Sequence, residues 1–346
     1  MEALWFWLLA WVLATYVVLD GFDFGVGIIH LFVARNEDER AQVLRSIGPV
    51  WDGNEVWLLV AGGTLFFAFP KLLAVSFSGF YLALMLVLWL LMFRALGIEL
   101  RHQVTEPLWR QFWDAAFAWS SALLALFFGA ALGNLVRGVS INENGTFFAP
   151  LWTDFTVGEN VGILDVFTIL VAVTAVASLA HHGALWLSAR TDESVERRAR
   201  RAASILWPVV ALLAIATTVA TFFTQENVRL NVFEMPGGLL LAAIALSGLV
   251  GALAFRIRRK AMWAFLSSAA FLYGMVGLAA YGMYPYVLPG RNPDLGLTIQ
   301  DAAAPVAGLE IALFWWVPGI LLACTYFVYV YSSMPATFSV HDVDGH

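Results

Sequence analysis

The sequence predicts an all-α integral membrane protein, a single polytopic domain over residues 1–346 with nine spanning helices. Three observations carry that prediction. Hydrophobic residues make up 61% of the chain and charged residues 13%, about half the charged share of a soluble domain. Apolar runs of about 20 residues, enough to cross a bilayer as a helix, recur along the whole chain. The basic residues alternate between successive loops, as membrane topology requires. A net charge of −6 argues against a nucleic-acid partner. Cys324 is the lone cysteine, so the fold rests on helix packing, with no intrachain disulfide and no CxxC-type metal or heme motif.

The spans follow in order. The first covers 4–33 and opens with "MEALWFWLLAWVLATY", which has no Lys or Arg. It lacks the basic start and small-residue cleavage site of a signal peptide and is too long for one, so it is expected to remain as a helix. The second covers 51–69, entered through Pro49 with Asp52 and Glu55 in its first turns. The third covers 73–97, and Arg94, Glu99 and Arg101 mark its charged end. The fourth covers 113–136. The fifth covers 160–188, with Asp165 in its first turns and His181 and His182 near its end. The sixth, seventh and eighth cover 202–223, 236–255 and 261–285. The ninth covers 308–331, with Glu310 near its start after Pro305. The longest non-apolar stretches, 137–159 and 286–307, are too short for a second domain.

Orientation follows from the basic residues. The loops after spans 1 and 3 hold Arg35, Arg40 and Arg45, then Arg94, Arg101 and Arg110. The loops after spans 5 and 7 hold Arg190, Arg197, Arg198, Arg200 and Arg201, then Arg256, Arg258, Arg259 and Lys260. The other loops hold Lys71, Arg137, Arg229 and Arg291, one each. The odd-numbered loops are therefore cytoplasmic, the N-terminus outside, and the tail "SSMPATFSVHDVDGH" inside.

Asp20 and Asp23 stand near the middle of the first span, where an ionised carboxylate costs roughly 2.5–3.5 kcal/mol on insertion scales. At 100° per residue, Tyr16, Asp20, Asp23, Gly27 and His30 share an arc of about 80°. That face cannot point at lipid. Gly21 and Gly25 form a GxxxG on a neighbouring face that permits close helix approach. Two readings of the aspartates stand: a proton or ion path, or carboxylates bonded to the backbone of a neighbouring helix. Asp52 and Glu55 likewise read either as acids placed by the helix dipole or as members of a desolvated cluster with Trp51, Asn54 and Trp57. Glu99 reads as an interfacial ion pair with Arg94 and Arg101, or as part of the same path. Asp165 and Glu310 read as helix-start acids. His181 and His182 read as hydrogen-bonded rather than as metal ligands. No helix shows the paired histidines of a bis-His heme site, and His341 and His346 lie in the polar tail.

The motifs "LDGFDFGVG" at 19–27, "IGPVWDGNEVWLLVAGGTLFFAFP" at 47–70, "FRALGIELR" at 93–101 and "MYPYVLPGRNPDLGLTIQDA" at 283–302 resemble subunit II of the cytochrome bd-type quinol oxidases, the group that includes the cyanide-insensitive oxidases. The resemblance covers most of the chain. It implies two four-helix bundles plus one peripheral helix, in a multi-pass prokaryotic cell membrane protein. It implies a subunit that binds no cofactor directly and partners a heme-bearing subunit I, in which hemes b and d couple quinol oxidation to reduction of O2 to water. A structural quinone in this subunit and small single-helix subunits occur in some members. By motif, Asp23 and Asp52 match acidic positions lining a cytoplasmic proton path, with Asp20 and Trp51 as neighbours and Glu55 and His30 in support. Glu99 occupies a position held by Asp in some members. Where some members carry Lys four residues further on, this chain has Gln103.

Two other classes remain open to the residues alone. A self-sufficient heme-bearing cytochrome would show a Soret band in the isolated chain. A secondary transporter, whose broken helices the Gly-rich first span resembles, would work without a heme-bearing partner.

Overall fold

The structure is a computed structural model and describes residues 1–158, 161–234 and 236–339; His341 and His346 lie outside the described residues. The helices are α1 (Glu2–Val33), α2 (Glu37–Ile47), α3 (Trp51–Ala68), α4 (Pro70–Gly79), α5 (Tyr81–Leu100), α6 (Pro107–Arg137) and α7 (Val166–Arg190). They continue with α8 (Glu193–Thr224), α9 (Glu226–Glu234), α10 (Pro236–Ile257), α11 (Ala261–Met283), α12 (Ile299–Ala302) and α13 (Val306–Ser333). Among the described residues, eight helices are long and apolar enough to cross a membrane: α1, α5, α6, α7, α8, α10, α11 and α13. The pair α3 and α4 qualifies only when taken together, and it is bent by 118° at Phe69.

That bend corrects one boundary. The third span was expected over 73–97, but its first residues belong to α4, and the crossing helix starts at Tyr81. The apolar run continues through the break, so hydropathy alone does not see it. A second difference is α2, which occupies a stretch read as loop. Asn36 caps it by accepting a hydrogen bond from the Glu39 amide at 2.9 Å, and three acids fill its first turn, where the helix dipole favours them. A third is α8, whose first three turns carry the basic run 197–201 before the apolar stretch begins.

Helix α1 runs through the centre, packed against α3, α6, α7 and α11. Its approach to α7 is backbone on backbone: a Cβ on Gly25 would lie 1.9 Å from the Leu179 carbonyl oxygen, and one on Gly183 would lie 2.2 Å from the Gly25 carbonyl carbon. Only glycine permits such a crossing, as the GxxxG predicted. Phe22 stacks on Trp186 at 4.2 Å beside it. Helices α10 and α11 pair closely, with α11 also against α7. Helix α13 lies along the outside of α1 and α3, its most apolar stretch without a buried residue. It is tied at both ends, by the Trp5 indole donating to the Leu309 carbonyl at 3.2 Å and by the Tyr331 hydroxyl donating to Asn54 Oδ1 at 2.8 Å.

The four basic segments gather at one end of the molecule and grip one another. Arg101 and Arg110 bind Glu37 at 2.9 and 3.2 Å, and Arg198 binds Glu39 at 2.6 Å. Arg256 bonds Ser204, one turn beyond Arg200. At the far end, the two long connections meet. The Val139 amide donates to the Pro289 carbonyl and the Arg291 amide donates to the Val139 carbonyl, both at 2.9 Å. A two-stranded hairpin, β1 (Tyr286–Leu288) with β2 (Leu297–Thr298), belongs to this cap. Beneath it Arg137 pairs with Asp165, which also caps α7 by accepting from the Thr168 amide at 2.8 Å. Asp165 is thus the helix-start acid expected.

Candidate functional site: a buried carboxylate cluster

The polar arc of α1 faces protein. Tyr16, Asp20, Asp23, Gly27 and His30 are all buried within the chain. Asp20 Oδ1 accepts from Arg94 Nη1, a guanidinium wholly buried on α5, whose Nη2 donates to Glu55 Oε2 of α3 at 2.8 Å. The guanidinium carbon also stands 4.6 Å from the centroid of the Phe24 ring, a cation–π contact that replaces lost hydration. Arg94 therefore joins three helices through two carboxylates. This corrects its placement among loop residues: its side chain turns inward, and the basic loop after the third span keeps only Arg101 and Arg110.

Asp23 is held differently. Its Oδ2 accepts from Asn54 Nδ2 at 2.8 Å, and Asn54 in turn donates to the Leu19 carbonyl at 3.2 Å and accepts from Tyr331. Its Oδ1 has no protein partner, nor do Asp20 Oδ2 and the Tyr16 hydroxyl, all buried. Buried polar atoms are normally satisfied by protein or ordered water. A carboxylate with one oxygen held by a neutral amide and the other open suits proton exchange better than one locked by a guanidinium.

The remaining predicted residues divide. Glu55 belongs to the cluster. Asp52 is exposed, and its carboxylate accepts from the adjacent Gly53 amide at 2.7 Å. It lies at the α3 start, as the helix-dipole reading has it, and not in the desolvated cluster of the other reading, with Trp51 half-buried beside it. Glu99 is exposed and does not pair with Arg94 or Arg101, whose partners are Asp20, Glu55, Glu37 and Asp114. His30 is fully buried, with Nε2 at 2.8 Å from Asp114 Oδ1.

Asp114, on α6, escaped the sequence reading. It is buried and also accepts from Arg101 Nε at 2.6 Å and Arg40 Nη1 at 3.0 Å. Its signal was faint: one acid beside Arg110 at a span start looks like an ordinary interfacial charge. His182 bonds through both ring nitrogens, to Ser268 Oγ at 2.6 Å and the Val18 carbonyl at 3.1 Å, and stacks on Phe265 at 4.5 Å. It is a packed, hydrogen-bonded histidine, as expected, while His181 Nε2 is buried without a partner. Among the described residues, no three His, Cys, Asp or Glu side chains converge on a metal site.

Comparison with known proteins adds the following. The family model described as cytochrome bd terminal oxidase subunit II matches residues 1–334. The chain is 30% identical to the cytochrome bd-I ubiquinol oxidase subunit 2 of Escherichia coli, over 99% of this chain and 97% of that protein. It is 31% identical to the cytochrome bd ubiquinol oxidase subunit 2 of Bacillus subtilis, over 90% and 89%. A chain in the structure of bd oxidase from Geobacillus thermodenitrificans shares the fold with a TM-score of 0.73 at 20% identity, covering 95% of this chain and 97% of that one.

Proposed function

The chain belongs to the cytochrome bd terminal oxidase subunit II family, and from that premise we propose that it is the heme-free second subunit of a membrane complex coupling quinol oxidation to reduction of O2. Its homologues and apolar helices make it a multi-pass membrane protein of the respiratory chain. Its partner is subunit I, whose hemes b and d supply the electron-transfer and oxygen chemistry. The topology that fits this role has the N-terminus outside, the basic end in the cytoplasm, and α3–α4 as the ninth, bent crossing. It groups α1, α3, α5 and α6 as one bundle and α7, α8, α10 and α11 as the other, with α13 peripheral. Small single-helix subunits would add to the lipid-facing rim. The shallow apolar groove lined by Val18, Ile244, Ala269, Ala270 and Tyr273, open to the outside of the bundle, is where a structural quinone would lie.

Reduction of one O2 to two waters consumes four protons, and this chain's part is to help deliver them. Asp52 and Glu99, exposed at the cytoplasmic end, collect protons; Asp23 holds them inside, beside the Asp20–Arg94 pair, with Trp51, Glu55 and His30 in support. The observation that carries this reading is Asp23: fully buried at mid-helix, with one oxygen on a neutral amide and the other unpartnered. Intramembrane carboxylates in such a setting mark proton relays. Family membership favours this role over a transporter or an independent cytochrome.

The test is quinol-driven O2 uptake by the purified two-subunit complex, with heme spectra recorded on the same sample. Asp23→Asn and Asp52→Asn keep shape but cannot ionise. Slowed turnover with unchanged hemes is expected in both. Full turnover in Asp23→Asn sinks the relay; full turnover in Asp52→Asn alone makes that acid a plain helix-start carboxylate.

A further inference from the structure

We infer that Asp114, His30 and Ser121 form a proton track internal to this chain that leads from its basic end to Asp23; this rests on the proposed role of Asp23 as a proton station. The geometry is two helix faces set against each other. On α1, Asp23 and His30 are seven residues apart, hence on one face, with Gly27 between them. On α6, Asp114 and Ser121 are likewise seven apart. Asp114 meets His30, and Ser121 meets Gly27 so closely that a Cβ there would lie 2.1 Å from Ser121 Oγ. Going up α6 is therefore going down the acidic face of α1.

Each link beyond Asp114 has a buried polar atom without a partner. His30 Nε2 is engaged by Asp114, while its Nδ1 is buried and unpartnered. Ser121 Oγ is buried and unpartnered. That is unusual, because a helical serine commonly bonds back to its own helix, as Ser120 does to the Ala116 carbonyl at 2.6 Å. Asp23 Oδ1 comes next, also unpartnered. Along α1 the successive axial rises from His30 to Gly27 and from Gly27 to Asp23 are about 4.5 and 6 Å, so the track as inferred includes bridging waters between its side chains. The Phe117 ring, edge-on to His30 at 5.5 Å, walls the seam.

The entrance is set by charge. Glu37 is the solvent-facing acid, 46% exposed, and Arg101 links it to Asp114, which Arg40 also contacts. In the transfer, water at the entrance gives a proton to the Asp114 carboxylate, and the O–H bond so formed breaks as an Nε2–H bond forms on His30. The Nδ1–H bond then breaks as its proton passes to Ser121 Oγ, whose own proton moves on toward Asp23. The carboxylate left on Asp114 is stabilised by the two arginines.

The experiment is turnover of the purified complex carrying His30→Gln, Ser121→Ala or both, with heme content and solvent deuterium isotope effect measured alongside. Glutamine keeps a hydrogen bond to Asp114 but cannot pass a proton. Each single variant is expected to slow turnover roughly a hundredfold or more, with normal hemes and a changed isotope effect. Because the links act in series, the double variant should be no slower than the slower single one. Full turnover in Ser121→Ala overturns the inference. So do losses that multiply in the double variant, which would report two separate packing defects. If His30→Gln fails to assemble, Ser121→Ala decides alone. Full turnover in Asp23→Asn would instead fail the proposed relay itself, so the two failures are distinguishable.

Discussion

Replacing Arg94 by Met removes the charge that holds α1, α3 and α5 together while keeping most of the side-chain volume. Arg94 and Asp20 are both wholly buried, and Glu55 keeps a quarter of its side chain exposed. Loss of one partner from a buried ion pair costs about 3–5 kcal/mol, because the other charge is left uncompensated. The partly exposed Glu55 contact contributes at most about 1 kcal/mol. Most of the loss is therefore the stranded Asp20, and it is relieved by neutralising that residue. Arg94→Met should lower the temperature at which half the detergent-purified protein stays monodisperse on size exclusion. Adding Asp20→Asn should recover a large part of the loss, a coupling of about 0.5–3 kcal/mol between contacting residues. An Arg94→Met protein as stable as the parent would refute the reasoning, as would a deeper defect when Asp20→Asn is added.

Tyr331→Phe removes one neutral hydrogen bond to Asn54 and should cost only about 0.6 kcal/mol, the average for such bonds inside membranes; a loss as large as that of Arg94→Met would show the two bonds are not so different. Gly183→Ala puts a methyl into the Gly25 backbone and should abolish recovery of assembled complex, whereas Gly62→Ala, with nothing within 4 Å of its Cβ position, should be neutral by yield. Glu39 is pushed up by its burial, but Arg198, Ser194 and the Arg35 amide more than offset that and hold it at about 2, below its ordinary 4.5. A lowered folded value adds stability that is present above about pH 4.5 and disappears as the pH falls toward 2. Glu39→Gln should flatten that acid limb of the thermal-stability profile, and an unchanged limb would assign acid sensitivity elsewhere.

The crossing helices were legible because burial in lipid leaves a signal in composition, and so were the acids of α1, because a carboxylate amid apolar residues has no bland address. Their counter-charge was not. Arg94 sits close to Glu99 and Arg101, and an averaged hydropathy trace cannot distinguish an arginine turned into the bundle from one turned to water. Asp114 was hidden in the same way beside Arg110. Partners so distant in sequence obey no spacing rule. Asp52 and Glu55 looked alike in sequence and share a side of α3, yet Asp52 is exposed while Glu55, one turn deeper, reaches Arg94. The kink at Phe69 was invisible because both arms are apolar.

The Arg94–Asp20 pair also sets an order for biogenesis. Asp20 is synthesised 74 residues before its arginine, so α1 leaves the ribosome with two mid-helix carboxylates and no counter-ion. Released into lipid at that moment, it would meet the full insertion penalty. Until α5 has been made, α1 carries that penalty uncompensated, and the pairing with Arg94 removes it only when the fifth helix joins the bundle.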